Sequence, residues 1–190
     1  MEATSPPGAG RPAAFLDRDG TLNVSAPEHE YVTALEHFVW LPGAIEGAAA
    51  LARAGYVLAV VSNQRGIARG LLTEATLSEI EAEIQAALAP HGARVEAFRY
   101  CPHELDADCD CRKPKPGMLL ELARTLGLDL ARSWMIGDSP SDVQAGRAAG
   151  THTALITPAP AAGGRATSVA GPDADITAPT LREIAAAIAG

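Results

Sequence analysis

Short apolar runs alternate with amphipathic stretches along most of this chain. Residues 13–16 read as a short buried strand, and residues 43–54, after Pro42, place Ile45, Ala48, Ala49 and Ala52 at helical spacing. Residues 56–61 are almost continuously apolar, the pattern of a strand covered on both faces, and they end at Ser62-Asn63-Gln64. Thr73 is placed to cap a long helix reaching about residue 89. In it Ala75, Leu77, Ile80, Ile84, Ala87 and Leu88 form one apolar stripe and the glutamates face water. A strand over 97–100, a helix over 116–126, a strand over 134–136, a helix over 141–149, a strand over 153–156 and a helix over 180–189 follow. This strand–helix alternation predicts an α/β fold, a doubly wound parallel sheet. The Pro/Ala/Gly-rich stretch 157–172 reads as a surface loop. Residues 1–12 read as a flexible tail, and 13–190 as one domain without internal repeats.

Composition narrows the partners. At 190 residues, 47% hydrophobic but only 4% aromatic, the chain builds its core mostly from Ala, Leu, Val and Ile. A net charge of −8 and a pI near 5.1 repel nucleic acid and anionic membrane, and no basic run opposes that balance. No apolar run is long enough to span a bilayer, and the N-terminal residues lack the apolar stretch of a signal peptide. The expectation is a cytoplasmic monomer acting on a small molecule, with no nucleic-acid or membrane partner.

In an open parallel sheet the loops after successive strands share one edge, where ligands bind. The first strand ends at Asp17 and Asp19, followed by Gly20; the second at Ser62 and Asn63; the third leads to Arg112-Lys113-Pro114; the fourth ends in Gly137-Asp138. Two carboxylates one residue apart resist burial unless a cation accompanies them. An Asp-Gly pair alone is also a common chain reversal. Carboxylates, a hydroxyl and an ammonium gathered from four strand ends suit a phosphoryl group beside Mg²⁺, a hard cation that prefers oxygen ligands.

All three cysteines, Cys101, Cys109 and Cys111, lie in one loop with His103. Three thiols cannot pair completely as disulfides. Three thiolates and one imidazole complete a tetrahedral Zn²⁺ shell with no open position, so the loop over 101–111 reads as a structural zinc site.

The runs Asp17-Arg18-Asp19-Gly20-Thr21, Ser62-Asn63-Gln64, Lys113 and Gly137-Asp138 together resemble the four motifs of the haloacid dehalogenase superfamily of phosphatases. The cysteine loop is similar to that of its zinc-containing branch, which includes heptose bisphosphate and histidinol-phosphate phosphatases and has no separate cap domain. Residues 63–70 and 112–118 resemble the heptose enzymes more. The resemblance implies hydrolysis of the 7-phosphate of a D-glycero-D-manno-heptose 1,7-bisphosphate. Histidinol phosphate or another small sugar phosphate is the alternative substrate. It implies Asp17 as nucleophile, Asp19 as general acid and base, and Ser62 and Lys113 as phosphoryl ligands. Mg²⁺ would be held by Asp17, the Asp19 carbonyl and Asp138. Asn63, Gln64, Arg65, Arg69 and Arg112 are expected substrate contacts, and Arg18 is expected to position the loop or touch substrate. Two positions depart from the heptose enzymes: residues 24–30 form a longer segment at the site mouth, and Ser139 replaces a lysine.

Other residues read more plainly. His29, His37, His91 and His152 have no ligand spacing, and Trp40 and Trp134 suit core anchoring. Asp142, one helical turn past Asp138, either supports the metal ligands or caps its helix.

Overall fold

A computed structural model describes residues 10–27, 30–157 and 174–190 of the chain. Six parallel strands form one sheet: β1 (Ala13–Leu16), β2 (Val57–Asn63), β3 (Val95–Cys101), β4 (Trp134–Gly137), β5 (His152–Ile156) and β6 (Ile176–Ala178). Their spatial order is β3-β2-β1-β4-β5-β6. Five helices flank the sheet among the described residues: α1 (Ala44–Arg53), α2 (Glu74–Leu88), α3 (Gly117–Leu126), α4 (Pro140–Ala149) and α5 (Leu181–Ala189).

Strand alternation divides the core into two layers. Ala14 and Leu16 of β1, with Leu58 and Val60 of β2, meet α1, α2 and α5 on one face. Ala13, Phe15, Ala59 and Val61 meet α3 and α4 on the other. Both faces being covered explains why β1 and β2 read as unbroken apolar runs. The chain winds outward from β1 to β3, then returns to place β4 on the other side of β1. The carboxyl end of β1 therefore lies at the topological switch point, where an open α/β sheet leaves a crevice.

Several expectations shift in detail. β2 runs on through Ser62 and Asn63 because their backbones pair with Tyr100 and Cys101 of β3. In α1, Ala44 and Leu51 are buried while Ile45 and Ala52 are only half-buried. In α2 the buried stripe is Leu77, Ile80, Ile84 and Leu88. Ala75 is exposed and Ala87 half-buried, since the larger side chains take the contact and leave the marginal alanines outside it. Nor do all the glutamates of α2 face water: Glu83 accepts from Trp40 Nε1 at 3.2 Å, and burial raises the pKa of Glu81. Strand β6 was not anticipated, three residues being too short to show a period.

At the chain start, Arg11 is fastened rather than loose, pairing with Glu96 at 3.0 Å and exchanging backbone bonds with Gly127 and Asp129. The rest of the expected tail, residues 1–9, lies outside the described residues, as do His29 and nearly all of the expected loop at 157–172. His37, His91 and His152 are exposed, and His152 stacks on Trp134.

Candidate active site

The loop after β1 is wound tightly around one carbonyl. The amides of Thr21, Leu22 and Asn23 all donate to Arg18 O, at 3.3, 2.8 and 3.1 Å. Gly20 sits at φ +84°, where a side chain is strained, and a Cβ there would run into the Asp138 carboxylate. The glycine thus lets the β1 and β4 loops close on each other and brings Asp138 beside Asp17.

Lys113 crosses from the far side of β2. Its Nζ donates to Val61 O at 2.8 Å and stands 2.9 Å from Asp17 Oδ1 and 2.6 Å from Asp142 Oδ1. These three partners match the three protons of an ammonium. Burial alone would lower the lysine pKa, but Asp17 and Asp142 raise it, so the cation is firmly held. The acids outnumber it. Burial raises Asp17 to about 6 against the pull of Lys113, with Asp142 and Asp19 adding to the rise. Burial, then the charges of Asp17 and Asp142, raise Asp138 to about 7.

Carboxylate oxygens of Asp17, Asp138 and Asp142 all lie within 4.8 Å of one another, an oxygen-only donor set suited to Mg²⁺. One ammonium does not neutralise three clustered acids, and this charge deficit supports the fit. Asp142 caps its helix, one of the two roles weighed for it, and also pairs with Lys113. Its Oδ2 accepts from Ser139 N and Oγ in a capping box, while Oδ1 faces Lys113. Ser139 is the N-cap of α4.

Asp19 is held from behind. Its Oδ1 accepts from Arg18 Nε and Nη2 and from Asn23 Nδ2, and its Oδ2 accepts from Arg18 Nη2 and from Gln64 Nε2 at 2.7 Å. Arg18 is wholly buried and also donates to Gln64 Oε1 at 3.2 Å. Arg18 therefore positions the loop and is shielded from substrate. Gln64, expected at the substrate, is instead buried under Asp19, its amide shared among Asp19, Ser62 and Arg18. Ser62 Oγ, an acceptor from Gln64 Nε2 at 3.1 Å, keeps its own proton to donate.

Asn63, also expected at the substrate, is turned to the Lys113 backbone, with both ends of its amide bonded there. Arg65, Arg69 and Arg112 remain on the open side. Arg65 Nε donates to Tyr31 Oη at 2.8 Å, and Arg69 Nε to Glu104 Oε1 at 3.0 Å. Arg112 Nη1 donates to His103 O at 3.2 Å. A cavity of about 510 Å³ is lined by Asn63, Glu104, Arg112, Lys113, Lys115 and Ser141, among others. Residues 24–27 line a neighbouring hollow with Tyr31 and Leu71.

The loop between β3 and α3 gathers the four expected zinc donors. Cys101 Sγ lies 3.6 Å from both Cys109 Sγ and His103 Nδ1; Cys111 Sγ lies 3.5 Å from Cys109 Sγ and 3.3 Å from His103 Nδ1. A disulfide needs about 2.05 Å. A zinc tetrahedron with bonds of about 2.0–2.3 Å spaces its donors at roughly 3.5–3.8 Å. The donor set fits zinc. Burial works against ionising Cys109, yet bonds from Cys111, the Arg112 amide and Cys101 bring it to about 7. Burial and the neighbouring thiols push Cys111 up to about 12, so the cluster needs a cation to carry three thiolates.

Tyr31, Glu104 and Lys115 were not singled out from sequence. No spacing rule marks them: the neighbours of Tyr31 and Glu104 come from distant loops, and Lys115 pairs with Asp108 at an irregular loop spacing.

Known proteins were compared with this chain. Residues 110–184 match a family model described as HAD-hydrolase-like. A D-glycero-beta-D-manno-heptose-1,7-bisphosphate 7-phosphatase of Photorhabdus laumondii is 42% identical over 77% of this chain and 80% of its own. The same-named protein of Pseudomonas aeruginosa is 40% identical over 77% and 81%. The crystal structure of D,D-heptose 1,7-bisphosphate phosphatase from B. bronchiseptica, complexed with magnesium and phosphate, superposes with a TM-score of 0.83 at 35% identity. The match covers 93% of this chain and 97% of that one. A putative HAD-like phosphatase from Mesorhizobium loti gives 0.77 at 32% identity, over 97% and 88%. With its parallel sheet, its acids at the switch point and these relatives, the chain belongs to the haloacid dehalogenase-like family of heptose-1,7-bisphosphate 7-phosphatases.

Proposed function

We propose that this chain hydrolyses the 7-phosphate of D-glycero-β-D-manno-heptose 1,7-bisphosphate through an aspartyl-phosphate. The observation that carries the reading is Asp17 at the end of β1, set between Lys113 and Asp138, in a family whose named relatives act on that sugar. The Asp17 carboxylate attacks phosphorus in line. The bond from phosphorus to the sugar oxygen breaks, and Asp19 gives that oxygen a proton. Asp19, with 27% of its side chain exposed, is reachable from the crevice. Arg18, Asn23 and Gln64 set its position. Asp19 then takes a proton from the water that attacks the aspartyl-phosphate, which releases inorganic phosphate and restores Asp17.

Ser62 donates to a transferring phosphoryl oxygen, and Lys113, on exchanging one of its present partners for the phosphate, donates to another; each such donor is worth about 3–4 kcal/mol. Asp17, the Asp19 carbonyl and Asp138 would hold Mg²⁺, which when bound offsets charge between nucleophile and phosphate. Cys101, His103, Cys109 and Cys111 would hold zinc as a structural ion. Because Arg112 and Lys113 follow Cys111 directly, that ion would fix where both cations stand.

We read residues 13–190 as one phosphatase domain and the protein as a cytoplasmic monomer. The acidic balance argues against nucleic acid and anionic membrane as partners. No helix among the described residues is long and apolar enough to cross a membrane.

The test is parallel turnover of both anomers of heptose 1,7-bisphosphate, histidinol phosphate and a 3′-phosphorylated oligonucleotide. The highest kcat/KM is expected for the heptose β-anomer. Preference for histidinol phosphate would overturn the substrate and keep the phosphatase. Inertness toward every phosphomonoester, with both metals loaded, would overturn both.

A further inference from the structure

Arg18 Nη1 and Tyr100 Oη are both buried, and neither makes a hydrogen bond among the described residues. The rest of the Arg18 guanidinium is engaged, Nε and Nη2 holding Asp19 and Gln64. Tyr100 lies on β3 in register with Ser62 of β2, and partners in a parallel pair turn to the same face of the sheet. On that face Ser62 Oγ accepts from Gln64 Nε2 at 3.1 Å, and Gln64 Oε1 accepts from Arg18 at 3.2 Å. Tyr100 packs against the core layer that holds Ile80 and Ile84 of α2, and half-buried Glu81 follows Ile80 directly. The phenol feels charge from both sides. Burial raises its pKa most, Glu81 adds to the rise, and the Arg18 cation opposes it; Tyr100 in turn opposes the rise that burial imposes on Glu81.

We propose that Tyr100 is a positioning residue for the general acid Asp19, acting through Arg18, and that Glu81 orients the Tyr100 hydroxyl for that task.

This role presupposes the phosphatase function argued above. A phenol hydroxyl has one proton and two lone pairs. With a carboxylate on its outer side the proton turns toward Glu81, which leaves lone pairs for the guanidinium. A buried cation with an unused N–H is drawn to that oxygen even beyond hydrogen-bond length, because the interior screens charge weakly. Arg18 is then steadied on one side by Gln64 and Asp19 and on the other by Tyr100. Three bonds run from Arg18 to the Asp19 carboxylate, so a guanidinium free to rock would carry the acid with it. A misplaced proton donor costs rate in the transition state, where the proton moves. A tyrosine kept only for packing would behave differently. Its buried, unpartnered hydroxyl would be a burden, and phenylalanine would fill the same space without loss.

The test separates the acid step from the rest of the site by leaving group. The departing oxygen of a sugar phosphate needs a proton, whereas p-nitrophenolate leaves as a stable anion and needs none. For both substrates kcat/KM reports the first phosphoryl transfer. Tyr100→Phe should lower kcat/KM for the heptose bisphosphate about tenfold and that for p-nitrophenyl phosphate less than about twofold. Its denaturant midpoint should equal or exceed the parent's. Glu81→Gln, a change at a half-exposed position of α2, should give a smaller loss of the same selective kind, about threefold.

Losses of equal size on both substrates in Tyr100→Phe, or no loss on either, overturn the positioning role. A fall in its denaturant midpoint with both substrates equally slowed assigns Tyr100 to packing alone. Glu81→Gln protein indistinguishable from the parent overturns the part given to Glu81. Each of these results leaves the phosphatase reading intact, since the parent still hydrolyses both esters. A parent inert toward both, with Mg²⁺ and zinc loaded, removes that reading and the role of Tyr100 together.

Discussion

The Asn63 side chain is clipped to the backbone of Lys113 at both ends: Nδ2 donates to the lysine carbonyl at 3.0 Å, and Oδ1 accepts from its amide at 3.0 Å. The last residue of β2 thereby fixes the height at which a buried ammonium meets the nucleophile. Asn63→Ala leaves both backbone groups short of a partner, at a cost of about 1–3 kcal/mol. A lowered denaturant midpoint and a fall in kcat larger than the change in KM are expected. Asn63→Asp, which keeps the acceptor and loses the donor, should fall between. A kcat equal to the parent's in Asn63→Ala would show that Lys113 is positioned without the clip.

Asp17→Asn should abolish turnover, by about 10³-fold or more, because an amide cannot form the acyl phosphate. Far-UV circular dichroism and bound zinc should be unchanged. Beryllofluoride, a mimic of the phosphorylated aspartate, should inhibit the parent enzyme and leave Asp17→Asn unaffected. Substantial residual activity in the clean variant would rule out the covalent route.

Burial lifts Asp17 to about 6 and Asp138 to about 7, from an ordinary carboxylate range near 4. In the metal-free protein the native state then keeps protons that the unfolded chain releases. The contribution of these groups to stability falls as pH rises from about 4 to about 7. Mg²⁺ prefers the ionised acids, so its stabilising effect should grow over the same interval. Melting temperatures of EDTA-treated protein with and without Mg²⁺, at about pH 5 and about pH 7.5, should show the larger Mg²⁺ shift at the higher pH. Equal shifts at the two pH values would mean that Mg²⁺ binds elsewhere.

Elemental analysis should find about one zinc per chain, retained under EDTA treatment that removes Mg²⁺. Cys109→Ser should lose most of that zinc and part of the turnover, as the segment leading to Lys113 loosens. Full zinc with normal turnover in this variant would exclude the four-donor site.

The clustering of the acids was legible because each stands a short step beyond a strand end, and strand ends in a parallel sheet share an edge. The cysteine cluster was legible because its donors crowd into one short loop. What escaped was the direction in which polar side chains turn. Gln64 is expected to touch substrate, yet it bonds Arg18, 46 positions earlier. Asn63 reaches 50 positions forward to Lys113. Such pairs are set by how loops fold over one another, and no local periodicity reports it.

The pairing of buried Arg18 with part-exposed Asp19 ties chemistry to inheritance. Removing the Asp19 carboxylate would leave a wholly enclosed guanidinium without its counter-charge, a loss of about 1.5–3 kcal/mol for a charged hydrogen bond whose acceptor is partly exposed, and still a sizeable share of a small protein's stability. A descendant of this chain that abandoned phosphate transfer would therefore still be under selection to keep Asp19, simply to fold. Its presence in a distant sequence would testify to a shared architecture before it testified to a shared reaction.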